Sequence, residues 1–347
     1  MELTAILHRI QPITPFRTAR DEKREQINVY VRVRDEGVVG YGEAAPLSFY
    51  GEDPRTVVAL LDNLALHLIP HSVSSVPEIE ALWNECWPLL NPSRAAQCAL
   101  DLALWDLVGK KLDITASQLA HHARPKELTS FVTVGIAPLE ELNEKIEALA
   151  DYPLIKLKMS GGMDDQLFQL VRRKTSARIA IDANCSWGGR NVPALTEDLQ
   201  GTRLLFIEQP IPPEEDHRMK YMTLAAALPI IADESCVIRE DVARLQVHFS
   251  GVNIKLSKCG GITPALQMIT ELKRQQHIAM VGCMLESSCG IAAAAVIAQK
   301  CDYADLDGAW LLEEDPFIGT ELKTGILEVS GGPGLGVEPR PGLFPLL

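Results

Sequence analysis

Apolar and polar positions alternate in three early stretches, TAILHRIQPI, INVYVRV and VVGYGEA, and the turn-forming DEG separates the last two. A period of two with turn residues between predicts three antiparallel strands. The period then lengthens to three and four residues in PRTVVALLDNLALHL, VPEIEALWNECWPLL and SRAAQCALDLALWDLVGKKL. That spacing predicts three helices, with Ser93 as the N-cap of the third. Residues 1–115 are therefore expected to form an α+β unit.

From about residue 129 the texture changes to short, continuous apolar runs, each followed by a helix-like stretch. The runs are SFVTVGI, LIKLKM, RIAIDAN, LLFIEQP, IIADES, GVNIKLS, AMVGCML and YADLDG, centred near residues 133, 156, 181, 206, 232, 254, 282 and 305. Eight β/α units of this period predict an α/β fold, a (β/α)8 (TIM-type) barrel over residues 116–320, with the first unit as an N-terminal α+β capping domain. A doubly wound open sheet would also alternate, but it would more often carry a Gly-rich phosphate loop after its first strand, and SFVTVGIAPLEE has none. The Gly/Pro-rich end, residues 321–347, is expected to return as an extended segment to the capping domain.

Composition narrows the field only modestly. A formal charge of −13 argues against nucleic acid and anionic membrane surfaces as partners. No apolar run approaches the roughly 18 residues of a membrane helix, and no signal peptide is evident at the start. The eight cysteines are scattered without CxxC spacing, as free thiols of a reducing compartment would be. A cytoplasmic protein is expected, and a homo-oligomer.

The chemistry follows from the barrel. Functional groups gather at the C-terminal ends of its strands. The third strand ends in Asp182, the fourth in Glu208 and the fifth in Asp233, at steps of 26 and 25 residues. A lone acid there is commonly a helix cap or a rim ion pair, but three at matched positions on neighbouring strands converge. Uncompensated they would repel, and an all-oxygen site with room for water and substrate suits Mg²⁺. Period two puts Lys156 and Lys158 on one face of the second strand, and Lys255 sits on the sixth, half the circle away. Lys158 and Lys255 are expected to oppose each other as bases, with pKa values lowered by neighbouring cations and partial burial. Asn184, Glu234 and Glu286 stand beside these groups and are expected to support them, Glu286 by holding Lys255 in position or by capping a helix; Lys258 lies past the strand end and reads as a loop or supporting residue. Asp305 and Asp307 also share a face, at the end of the eighth strand, and suit a cationic group on a substrate.

Together these residues resemble the enolase superfamily. GYGEAAP and ALDLALWDLVGKK are similar to its capping-domain signatures, and KLK, DAN, IEQP, ADES, NIKLSKCGG and GCMLESS follow in order. The lysine pair with Lys255 opposite resembles the muconate-lactonizing-enzyme subgroup, and the DLD within YADLDG resembles the dipeptide epimerases, of the L-Ala-D/L-Glu epimerase type. That superfamily is itself a standard example of a Lys or His base acting with Mg²⁺.

The resemblance implies an Mg²⁺-dependent isomerase inverting the α-carbon of a dipeptide's C-terminal residue. Asp182, Glu208 and Asp233 would hold the metal, Lys156 would help stabilise an enediolate, Lys158 and Lys255 would move the proton, and Asp305 and Asp307 would grip the free ammonium. The loop PFRTARDEKRE would read the side chain through Arg20 or Asp21. In acidic-dipeptide epimerases a basic residue is expected close to where Asp21 falls, so an acidic, cationic or hydrophobic second residue stays open. Two other readings remain: o-succinylbenzoate synthase or N-acylamino acid racemase on the same scaffold, and a barrel that binds a small ligand without catalysis.

Overall fold

A computed structural model describes residues 1–19, 21–120, 127–160 and 164–344. The three alternating stretches form strands β1 (Glu2–Ile10), β2 (Gln26–Asp35) and β3 (Val38–Ala44), an antiparallel sheet in that order. Three helices follow: α1 (Pro54–Leu68), α2 (Val76–Leu90) and α3 (Arg94–Lys111). Their starts are set locally. Asp53 caps α1 by accepting from the Thr56 amide at 2.9 Å, with Pro54 in the first turn, where its missing N–H costs nothing. The Ser93 hydroxyl accepts from the Ala96 amide at 2.9 Å at the start of α3. Helix α3 is buried on all sides from Ala95 to Gly109, between the sheet and the barrel. It lies so close to β3 that a Cβ at Gly42 would sit 2.0 Å from the Ala99 carbonyl oxygen, so only glycine fits there.

Eight parallel strands follow: β4 (Val132–Val134), β5 (Leu154–Lys158), β6 (Arg178–Asp182), β7 (Leu204–Glu208), β8 (Ile230–Ala232), β9 (Gly251–Ile254), β10 (Ile278–Gly282) and β11 (Tyr303–Asp305). Each pairs with the next in sequence order, and a parallel bridge from Ser130 to Ala304 brings the last strand back beside the first. The sheet is thus a closed (β/α)8 barrel.

Strand parity organises its interior. Phe131, Leu154, Ala180, Phe206, Ile231 and Met280 pack together as an apolar floor. Two residues further along each strand, on the same face, stand Lys156, Asp182, Glu208, Asp233 and Gly282. Two further again come Lys158 and Asn184. The barrel is therefore an apolar plug carrying a charged storey.

The C-terminal stretch runs from the barrel to the capping sheet. Thr320–Lys323 pairs with Ile326–Val329, which pairs with Leu128–Thr129. Phe317 packs against Tyr30 and Tyr41, with ring centroids 5.3 and 5.9 Å away, and the Leu335 amide donates to Asp106 Oδ1 at 2.7 Å. No described helix is long and apolar enough to cross a membrane, and all eight cysteines are free.

Candidate active site

The triad expected from the sequence is assembled. Oxygens of Asp182, Glu208 and Asp233 lie within 4.8 Å of one another, and all three residues are buried. Register explains the convergence, since Lys158 pairs with Asp182, and Asp182 with Glu208, across neighbouring parallel strands. The backbone turns sharply just beyond these acids, with positive φ at Asn184, Cys185 and Gln209. Non-glycine residues held there mark places where the fold overrides local preference.

The lysines interleave with the acids. Lys158 Nζ donates to Asp182 Oδ2 at 2.5 Å, and Lys255 Nζ to Asp233 Oδ2 at 2.7 Å. Lys156 Nζ donates to Asp305 Oδ2 and lies 3.4 Å from Glu208 Oε2 and 3.7 Å from Asp182 Oδ2. The pKa lowering expected of Lys255 is not seen. Burial pulls Lys255 down, but Asp233 and Glu208 outweigh it and hold the ammonium above its ordinary range. Burial likewise pulls Lys156 down, but Asp305, Glu208 and Asp182 outweigh it and hold this ammonium well above its ordinary range. Neighbouring cations would lower these values, but the fold seats each of these ammoniums against carboxylates instead.

The acids respond unequally. Burial raises Asp233, but Lys255 and Lys258 hold it well below its ordinary value. Burial, Asp182 and Asp233 together push Glu208 up to about 8, against the pull of Lys156. One carboxylate of three is thus short of positive charge, and the donors are all oxygen. This set fits a hard divalent cation such as Mg²⁺, whose charge would relieve Glu208.

The support of the triad was only partly legible. Lys258, read as a loop or supporting residue, is buried and donates to Asp233 Oδ1 at 2.7 Å, to the Asp233 carbonyl at 2.6 Å and to the Asn253 carbonyl at 3.2 Å. Asn253 escaped the sequence reading; its Nδ2 donates to Glu208 Oε1 at 2.6 Å. Its position two before Lys255 in VNIK, on the same strand face, was the available signal. Gly282 on the next strand makes room, for a Cβ there would meet Asn253 Oδ1 at 2.7 Å. Gln209 was also missed. Its Oε1 accepts from the amides of Asp233 and Ser235 at 2.9 and 3.1 Å, tying the ends of β7 and β8 together.

Of the expected supporting residues, Asn184 donates from its amide to Asp182 Oδ1 at 2.9 Å and from Nδ2 to Glu234 Oε1 at 3.2 Å. Glu286 directs its carboxylate to the Ser257 hydroxyl and the Met284 amide, at 3.4 and 3.3 Å, while Lys255 bonds Asp233. Burial and the neighbouring Glu43 push Glu286 up to about 8.

A cavity of about 410 Å³ opens above the triad, lined by Lys156, Lys158, Lys255, Asp305, Asp307 and Asn184 from the barrel. The cap contributes Phe16, Thr18, Asp21, Lys23 and the Leu47–Phe49 turn. Asp305 and Asp307 meet at Thr133, whose amide donates to Asp307 Oδ2 at 2.6 Å and whose hydroxyl donates to Asp305 Oδ1 at 3.3 Å. Burial and the adjacent Asp305 push Asp307 up to about 7. Asp21 accepts from the Thr18 hydroxyl at 2.7 Å, and Lys23 donates to Gln26 at 3.0 Å. Arg20 lies outside the described residues.

Residues 2–120 match the family model for the mandelate racemase / muconate lactonizing enzyme N-terminal domain, and residues 140–343 match that for the enolase C-terminal domain-like family. The chain is 35% identical over 322 residues to an L-Ala-D/L-amino acid epimerase of Flavobacterium johnsoniae, covering 93% of this chain and 95% of that one. It is similar to a solved dipeptide epimerase of Cytophaga hutchinsonii, complexed with Mg and D-Ala-L-Val, with a TM-score of 0.90, 26% identity and coverage of 99% and 97%. It is also similar to a dipeptide epimerase of Methylococcus capsulatus, complexed with Mg and L-Arg-D-Lys, with a TM-score of 0.87, 31% identity and coverage of 97% and 98%.

Proposed function

The chain belongs to the mandelate racemase / muconate lactonizing enzyme family of the enolase superfamily, and on that premise we propose that it is an Mg²⁺-dependent dipeptide epimerase. We read residues 1–115 as the cap, 116–320 as the barrel and 321–347 as the segment that closes back onto the cap. The substrate is a dipeptide whose C-terminal residue inverts at its α-carbon by a two-lysine 1,1-proton transfer.

One observation carries this reading. Lys158 and Lys255, from the second and sixth of eight strands, line one cavity, and each is bonded to a different member of the carboxylate triad. Asp182, Glu208 and Asp233 would hold Mg²⁺. When bound, the ion supplies charge that neutralises the triad and stabilises negative charge developing on the substrate carboxylate. Lys158 and Lys255 exchange protons with the α-carbon from opposite faces, one nitrogen removing a proton and the other returning one. Lys156 Nζ donates toward the charge that builds on the carboxylate side. Asp305 and Asp307, acceptors at the far side of Lys156, take the free ammonium of the substrate. The exposed Asp21 at the cavity faces the side chain of the inverting residue, and its preference is set there.

The test is a library of dipeptides, N-acyl amino acids and cyclohexadienyl acids incubated with enzyme and Mg²⁺ in D₂O and followed by mass spectrometry. Deuterium at the α-carbon of dipeptides, with both epimers formed, is the expected result. Exchange confined to N-acyl amino acids would move the chain to the racemases of the same scaffold. Absence of exchange and turnover across the whole library would leave a ligand-binding barrel.

A further inference from the structure

Among the described residues two clusters bring three ligand atoms within 4.8 Å of one another, and the second shares no residue with the lining of the barrel cavity. It consists of His67, His71 and Glu85 on the cap. His67 occupies the last turn of α1, and His71 lies four residues on, just past the helix end. Glu85 comes from α2, which packs alongside. His67 Nε2 lies 3.0 Å and His71 Nε2 3.4 Å from the same oxygen, Glu85 Oε1. The two rings are 5.1 Å apart and tilted by 37°.

These spacings are those of a coordination polyhedron. A tetrahedral Zn²⁺ with bonds of roughly 2.0–2.1 Å holds its ligands roughly 3.3 Å apart along each edge. Two of the three edges are near that length, and the third pair of atoms also lies within 4.8 Å. Nitrogen-rich and partly exposed, the set suits a borderline ion, Zn²⁺, Ni²⁺ or Cu²⁺. It does not suit Mg²⁺, which prefers the all-oxygen triad of the barrel. The same contacts are also satisfied by two N–H···O bonds, and the experiment separates the two states.

We propose that His67, His71 and Glu85 form a second, transition-metal site that clips α1 to α2 on the cap, chemically sorted from the Mg²⁺ site. Protein free of any affinity tag and saturated with Mg²⁺ is titrated with Zn²⁺ by calorimetry, and with Cu²⁺ followed by pulsed EPR. The expected result is one extra ion per chain, with the remote-nitrogen signature of imidazole, which neither carboxylates nor lysines give. His67→Ala, His71→Ala and Glu85→Ala should each weaken binding by at least about tenfold, and the double histidine variant should lose the imidazole signal. All three side chains are partly exposed, and circular dichroism checks that the variants fold. An unchanged signal in the double variant, or no imidazole-ligated ion in the parent protein, overturns the proposal. The outcome is independent of whether the barrel acts on dipeptides.

Discussion

At the barrel rim Lys158 and Lys255 retain only 9% side-chain exposure, and each donates to a carboxylate that is buried almost completely. On the cap loop facing them, Arg24 reaches Glu22 with 75% of its side chain in water, and Arg17 reaches the same acid while 41% exposed. The rim groups sit on strand ends, with strand parity and register fixing their direction. The loop groups are held by a two-residue hairpin, Phe16–Arg17 against Glu22–Lys23, and by each other. Where charges are buried, each must have partners, and changing one disturbs all; where they are solvated, water replaces a lost partner at little cost. On the function proposed above, this division would put the proton chemistry at the rim and adjustable side-chain recognition on the loop.

The sharpest way to break that comparison is at the lysines. Replacing Lys158 or Lys255 by Ala should lower epimerisation by about 10²–10⁴-fold, the usual worth of a positioned acid or base. Deuterium exchange should then survive for one epimer only, a different epimer for each variant. Exchange of both epimers in either variant would remove the two-sided arrangement.

Next comes the support under Asp233. Lys258→Met keeps the length of the side chain but removes its bonds to Asp233 Oδ1 and to the Asp233 and Asn253 carbonyls. Calorimetry should show Mg²⁺ affinity falling by about 10–100-fold, as for other groups that orient metal ligands. Unchanged affinity would make Lys258 a packing residue.

Asp305→Asn and Asp307→Asn should raise KM for dipeptides by about tenfold or more, and spare any N-acyl substrate, because a charge-assisted bond to an ammonium is lost. Equal effects on both substrate classes would tie these acids to Lys156 alone.

A pH series probes the buried interface of cap and barrel. Burial pushes Asp101 up to about 7, although the Thr263 hydroxyl and amide pull it down. Its folded pKa thus lies above its unfolded value, so its contribution to stability is complete below the unfolded pKa. That contribution is lost as pH rises through about 7. The urea midpoint should therefore fall less between pH 5 and 8 in Asp101→Asn than in the parent, and parallel curves would contradict this.

The smallest effects belong to the loop. Arg24→Ala should change stability by less than about 0.5 kcal/mol. Asp21→Ala should redistribute dipeptide preference without reducing the exchange rate on a permissive substrate.

Much of this was readable without coordinates. The starts and ends of α1 and α2, the cap at Ser93, the three alternating strands and the eight apolar runs follow from local pattern. So do the triad positions, because residues two apart on a strand must share a face. Asn253 and Gln209 were not recovered, although Asn253 obeys that same parity. Each acts on a partner many residues away, at Glu208 and Asp233, so nothing adjacent in sequence marks it.

By itself the amino-acid order determined which side chains point into the barrel and at what height, since periodicity and hydrophobic burial are local and additive. Only the closed structure decided which charges pair. Lys156 turns to Asp305 from the far side of β4, Glu286 to Ser257, and Lys258 to Asp233. Ion pairing in a low-dielectric interior depends on distances of a few ångströms between strands that only barrel closure brings together.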